Sequence, residues 1–361
     1  MSTLQVRDAE NPSIVWDLDL RNNTRTMTDP ATGRLVTMDL GVADVHIDAA
    51  LANYAAGYQQ ADGGLIADEV VPLLPVEKNS NKFYTWDKND VYQEVTSLEV
   101  APGGAIAEIS PRLSNSNYNC VSYGVQSYVA SETQANADSA LNPERQAVVR
   151  CMTAIKLARE RRAANLLMTS GNWTGGTVTA IAAGAKWNGG ASSDPVRDLF
   201  TAIEASLVPV NAVAMSERTY HDFMQNAQVQ KYITYKTGTA PIPGSDTLSA
   251  ILQLPRFIVG TRKALSSASA VGYVWGDNVA LLHVDAGIPS GGATISTART
   301  FRWSGANGGA NDGTMQGGFL VRSYFDPKRG ARGGKVVAVV HNDTEVMTST
   351  VAGALLTAAH Q

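Results

Sequence analysis

The sequence predicts an α+β protein organised around one long helix, and three observations carry that expectation. The stretch Asn142–Thr169, NPERQAVVRCMTAIKLARERRAANLLMT, contains no Gly and no Pro beyond Pro143 and reads as continuous helix. Residues from Lys78 to Ile109 read as two strands running out from the body and back. From Asp194 onward the order is helix, strand, helix, helix and three strands, which describes a compact α+β unit with a mostly antiparallel sheet.

In chain order, residues 1–40 alternate weakly, with turn signals at Asp29-Pro30 and Thr32-Gly33 that predict a short strand pair within an arm. Between Val45 and Tyr58, Ile47, Leu51, Tyr54 and Tyr58 follow helical spacing and predict a short amphipathic helix. The run Leu65–Val76 is apolar but broken by Pro72 and Pro75, so it should dock on the core. Lys78–Ile109 is too polar to bury much of itself. An isolated two-stranded ribbon is marginal in water, and the aromatics Phe83, Tyr84, Trp86 and Tyr92 favour a neighbouring chain as its cover. Ser116–Ala130 alternates with period two and reads as the strand leading back.

The long helix follows. Asn142 can cap its first amides, Pro143 suits the first helical position, and Glu144 sits where the helix dipole favours an acid. At 1.5 Å per residue it spans roughly 40 Å. Val148, Cys151, Met152, Ile155, Ala163 and Leu166 share one face, but Arg159 and Arg162 fall there too. Such a helix lies on a large sheet or spans the body of a subunit. Beyond a Gly-rich connection, Asp194-Pro195 opens a helix over Val196–Ala205. Asn211–Ser216 reads as a buried strand, Glu217–Gln225 and Asp246–Leu254 as helices, and RFIVGT, VGYVWGDNVALLHVD and ATISTARTFRWS as strands. The chain closes with two strands around a basic Gly-rich turn and a short apolar tail.

Composition sets the limits. The 361 residues are 44% hydrophobic, enough for a sizeable core, yet only 17% are charged against a usual quarter or so. A surface short of charge without being greasy points to coverage by partners. A net charge of -4 argues against electrostatic nucleic-acid binding by the whole molecule, though not against a local basic patch. The opening residues are polar and acidic, and no apolar run approaches a membrane span, so synthesis in a cytosol without membrane anchoring is expected. Cys120 and Cys151 read as two buried thiols of a reducing compartment.

No catalytic constellation emerges. The five histidines show no metal-ligand spacing, His221 and Asp222 are adjacent on a helix and do not face each other, and neither GxSxG nor SxxK occurs. The segment Gly330–Val336 is one residue short of a phosphate-binding loop, lacks its Ser/Thr, and runs into a strand instead of a helix, so it reads as a basic turn. Neither a cofactor nor a metal is expected. The RERR run at Arg159–Arg162 reads as a solvated or ion-paired face before a nucleic-acid contact.

Several segments, taken in order, resemble the major capsid proteins of tailed bacteriophages with the Hong Kong 97-type fold. They are LIADEVVPLLPVEKNSNKFYTWDKND (Leu65–Asp90), APGGA (Ala101–Ala105), NYNCVSYGVQSYVASETQANAD (Asn117–Asp138) with the helix beyond it, VGYVWGDNVALLHV (Val271–Val284) and SYFDPKRGARGGKVVAVVHNDTEVM (Ser323–Met347). The resemblance covers the chain from about Val45 to its end. It implies an N-terminal arm over 1–64, an extended loop and its base over 65–117 and a peripheral domain with the spine helix over 118–193. An axial domain over 194–293 and a return to the peripheral domain with a C-terminal segment over 294–361 complete the division.

The same resemblance implies self-assembly into hexamers and pentamers of an icosahedral shell around double-stranded DNA, bound without sequence preference. The shell would be part of the virion and assembled in the host cytoplasm. The 45 or so residues before the matching region are not a long charged helix, which points to a separate scaffolding protein. A portal is implied too, with room for a decoration protein. Subunit contacts are expected from Lys82, Phe83, Trp86, Asp87, Lys88 and Tyr92 on the loop and from Arg329, Arg332 and Lys335 at the basic turn. Arg159 and Arg162 are expected to face neighbours or genome, so that leucine at both would harm assembly more than the fold. An encapsulin-like shell around cargo enzymes is the alternative within the same fold.

Overall fold

The computed structural model describes residues 64–85, 99–100, 102, 106, 114–137, 142–189, 192–237, 245–265, 270–285, 287, 295–303 and 319–360, and the backbone of five short strands before them. Four of those strands, β1 (Thr3–Arg7), β2 (Val15–Asp19), β3 (Thr24–Thr28) and β4 (Leu35–Asp39), form an antiparallel meander. The strand pair expected around residues 29–34 is β3–β4, with Met27 opposite Val36. β5 (His46–Ile47) is strand where helix was expected, and the rest of that predicted helix lies outside the described residues.

The chain continues through α1 (Ala67–Val70), β6 (Leu73–Val76), β7 (Ser80–Thr85), β8 (Ser114–Asn119), β9 (Val121–Ala130) and α2 (Ser131–Ala135). The long helix is α3 (Pro143–Met168). Next come β10 (Thr177–Ala180), α4 (Pro195–Ala205), β11 (Ala212–Ser216), α5 (Glu217–Gln225), α6 (Ala227–Thr237) and α7 (Ser245–Leu252). Strands β12 (Arg256–Gly260), β13 (Lys263–Leu265), β14 (Val271–Tyr273), β15 (Val279–Leu282), β16 (Ala298–Trp303), β17 (Leu320–Asp326), β18 (Gly334–Met347) and β19 (Gly353–Thr357) complete it. Among the described residues no helix is long and apolar enough to cross a membrane.

Asn142 caps α3 as its sequence requires, accepting the N–H of Glu144 at 3.1 Å and of Arg145 at 3.2 Å. Asn142→Ala is therefore expected to lower subunit stability by about 1 kcal/mol, read from the urea midpoint. The helix serves two cores in succession. Its first half buries Ala147, Val148, Cys151, Met152 and Ile155 against Val129, Val321, Val337 and Val339 of the peripheral strands β9, β17 and β18. Its last turns bury Ala163, Ala164 and Leu167 against Ala212, Ala214, Ala280 and Leu282 of the axial strands. Leu167 thus takes the fully buried place that the stripe gave to Leu166, which is half-buried.

A five-stranded sheet runs β10-β19-β15-β11-β12 and is covered on both faces. Strand alternation sends Val213 and Met215 towards Leu199, Phe223, Val229 and Leu248 of helices α4–α7, while Ala212 and Ala214 face α3 and Trp275. That is why all five residues of β11 are buried. Burying each such aliphatic or aromatic side chain contributes about 1.5–3 kcal/mol.

Three expectations differ from this architecture. The five-stranded sheet is mixed, since β10–β19 and β11–β12 are parallel while β11–β15 and β15–β19 are antiparallel. It draws strands from either side of residues 194–293, because β10 precedes residue 194 and the apolar tail forms β19 between β10 and β15. Helix α6 has no counterpart in the prediction; its sequence AQVQKYITYKT offers few apolar residues, of which Val229 and Ile233 are buried. The expected strand Ser116–Ala130 is real but divided. At Cys120 the chain passes from the β7–β8 ribbon to the edge of β18, with the Cys120 N–H donated to Asn79 at 2.9 Å.

Candidate assembly surfaces and the polar junction

The extended ribbon is built where β7 pairs β8, Lys82 opposite Asn117 and Phe83 opposite Ser116. The period of two sorts its side chains. Phe83 turns inward, 5.3 Å from Phe301, whose ring stacks on Tyr118 at 4.6 Å. Lys82 and Tyr84 point outward, Tyr84 with 59% of its surface exposed. Phe83 is thus partly buried against the core of its own subunit. Tyr84 takes the outward place, a position that strand alternation from Phe83 had already encoded. Trp86, Asp87, Lys88 and Tyr92 lie outside the described residues.

The basic turn joins β17 to β18 through Gly330 and Gly333, both with positive φ, and Gly334 already belongs to a strand. Nothing there resembles a loop leading into a helix. Arg329 is exposed, 3.3 Å from Asp326 and above the Tyr128 ring. Arg332 is exposed at the tip. Lys335 is different: its Nζ donates to Glu144 Oε2 at 2.8 Å within the same subunit, so it pairs with the acid at the start of α3.

Arg159 and Arg162, read from the sequence as a solvated or ion-paired face and expected to meet neighbours or genome, reach acids of their own subunit. They lie at a junction where α3 passes from one hydrophobic core to the next. The Arg162 fork donates from Nε to Glu345 Oε2 at 2.8 Å and from Nη2 to Glu345 Oε1 and Asp343 Oδ1, both at 2.9 Å. Tyr123 covers the guanidinium, its ring centre 3.8 Å away. Arg159, only 4% exposed, lies 3.8 Å from both Asp343 and Glu345 and also pairs with Asp68 of α1. Arg302 donates to Asp343 Oδ2 at 3.3 Å, and His341 Nε2 lies 3.1 Å from Asp343 Oδ1. The carboxylates come from β18, some 180 residues beyond the arginines, so the helix alone left their charge unexplained.

Electrostatics follow from that geometry. Burial pushes the Asp343 carboxyl up, but the hydrogen bond and charge of His341, with Arg302 and Arg159, outweigh it and hold Asp343 at about 2. Burial and the adjacent Arg159 charge lower Arg302. Arg162 is also penalised by burial, yet its bonds to Glu345 leave it raised. Beside this cluster, Glu160 is buried and raised by burial, although it accepts from Ile66 N–H at 2.8 Å, Ala67 N–H at 2.9 Å and Trp275 Nε1 at 2.6 Å.

The remaining titratable groups fit structural roles. Cys120 and Cys151 are buried free thiols, and burial raises Cys120 to about 11. Asp222 faces His360 instead of His221. Among the described residues no group of three or more His, Cys, Asp or Glu side chains is placed to hold a metal ion.

No known protein-family profile matches the chain. It is 24% identical over 311 residues to the major capsid protein of Pseudomonas phage JBD67, covering 84% of this chain and 94% of that protein. The crystal structure of a phage-related protein from Bordetella bronchiseptica RB50 superposes with a TM-score of 0.62 at 20% identity, over 87% of this chain and 98% of the other. The capsid of cyanophage P-SCSP1u gives a TM-score of 0.50 at 11% identity, over 80% and 86%. In sequence the chain is similar to phage major capsid proteins, and in structure it has the α+β Hong Kong 97-type capsid fold.

Proposed function

We infer that this chain is a structural major capsid protein, the self-assembling unit of a phage head, with no enzymatic role. The observation that carries this reading is similarity to a phage major capsid protein along 94% of that protein's length, in a chain with the capsid fold. Its place is the virion. We assign it to hexamers and pentamers of an icosahedral shell assembled in the host cytoplasm on a separate scaffolding protein. A portal, and a decoration protein where the phage has one, complete the head around non-specifically held double-stranded DNA.

The described surfaces support self-association. A two-stranded ribbon is marginal alone, and this one displays Lys82 and Tyr84 to solvent, leading to Trp86, Asp87, Lys88 and Tyr92. Aromatic and Arg side chains are the residue types that anchor interfaces, and Arg329 and Arg332 offer a second contact. Each contact can be modest, because closed symmetry repeats it and several per subunit add avidity.

The test is co-expression with the scaffolding protein and electron microscopy of the products. Closed shells are expected from the native chain. In Lys82→Ala/Tyr84→Ala they should be lost or sharply reduced while subunit stability stays within about 0.5 kcal/mol, since both side chains are exposed. Soluble monomers from the native chain under every assembly condition would sink the reading.

A further inference from the structure

The root of the extended loop is held by side chains of two neighbouring spine-helix residues. Glu160 accepts the N–H groups of Ile66 and Ala67, and Arg159 pairs with Asp68. The same Glu160 carboxylate accepts Trp275 Nε1 from the axial domain. Trp275 is fully buried against Gly260, where an added Cβ would come within 2.3 Å of its ring. The root touches the axial domain again where Gly64, at φ +97°, packs on Thr261 and where Glu69 pairs with Arg256. Val71 accepts Thr300 Oγ1 at 3.2 Å, and Pro72 accepts the Thr300 N–H at 3.0 Å, so β16 of the peripheral domain holds the far end of the root.

We propose that Glu160 is the positioning residue that sets the angle of the extended loop against the spine helix and axial domain, and so the curvature at which subunits join. From the spine helix, its carboxylate bonds the loop root and Trp275 together. Its two oxygens meet three N–H donors and no acceptor, an arrangement that only a carboxylate satisfies. A glutamine there would turn its own NH2 towards an N–H group.

The inference rests on the capsid reading, and the experiment separates the two. Native, Glu160→Gln and Trp275→Phe chains are assembled side by side, with hydrogen exchange measured on the free subunits and shell diameters measured by electron microscopy. In Glu160→Gln the amides of Ile66 and Ala67 should exchange about tenfold faster while those of residues 148–155 keep their rates, and the shells should lose their uniform diameter. Unchanged amides, or fast amides with native diameters, would overturn the proposal. If Glu160→Gln does not fold, Trp275→Phe decides, because it removes one donor and keeps an aromatic ring; native shell diameters there would overturn it and mixed diameters support it. Failure of the native chain to form shells would instead refute the capsid reading itself.

Discussion

Replacing Arg159 and Arg162 together with leucine is expected to destabilise the subunit by at least about 3–5 kcal/mol, the usual cost of stripping the partner from a buried ion pair. Asp343 has no exposed side-chain surface and Glu345 only 5%, so both carboxylates would be left in the interior facing a weakened set of cations. Such a loss is a large part of the roughly 5–15 kcal/mol that holds a domain folded. Urea unfolding of the subunit, or failure to obtain it in soluble form, is the readout. Arg332→Leu, at the exposed turn, should shift the same transition by no more than about 0.5 kcal/mol. A further variant adding Asp343→Leu and Glu345→Leu should recover much of the loss, because a whole buried ion cluster can be exchanged for packed apolar groups. Native-like unfolding of the double arginine variant with defective assembly would instead mean that these arginines serve the shell and not the fold.

The second large effect is acid sensitivity. Asp343 sits at about 2 in the folded chain against an ordinary 3.8, so it contributes stability that is present above its unfolded value and disappears as pH falls through the folded one. Between about pH 4 and pH 2 this one group removes roughly 2 kcal/mol, at 1.36 kcal/mol per pKa unit. Urea midpoints measured across that window should fall in the native chain and stay flatter in Asp343→Asn, which will also be less stable at neutral pH because its arginines lose a partner. Glu160 acts in the opposite sense. Its raised value means a contribution present below its ordinary 4.5 and lost as pH rises through the folded value, so Glu160→Gln should remove that loss above about pH 4.5 and leave the fall between pH 4 and pH 2 unchanged. A native midpoint that does not move between pH 4 and pH 2 would remove Asp343 from this account.

Elements whose signals are local were legible in the chain itself. Asn142 and Pro143 mark the start of α3, Asp194 and Pro195 that of α4, and β11 was readable from its run of small and apolar residues. The turn at Gly330 and Gly333 was likewise separable from a phosphate loop because a strand follows it. The candidate surfaces were partly legible. Arg329 and Arg332 are exposed, while Phe83 packs on Phe301 through strand alternation and Lys335 pairs with Glu144.

By itself the sequence determined that a long capped helix, an aromatic-bearing two-stranded excursion and a low-charge α+β body belong to one chain, since capping, periodicity and composition act over a few residues at a time. What only the tertiary structure decided is the meaning of the polar residues in the middle of that helix. Arg159, Glu160 and Arg162 interrupt the apolar stripe where α3 leaves one hydrophobic core and enters the next. Their partners Asp343, Glu345, Trp275 and the amides of Ile66 and Ala67 stand 93 to 186 residues away and meet them only once both sheets are in place. A buried charge is tolerable only beside its counter-charge, and nothing in the order of residues along one helix says which distant strand will bring it.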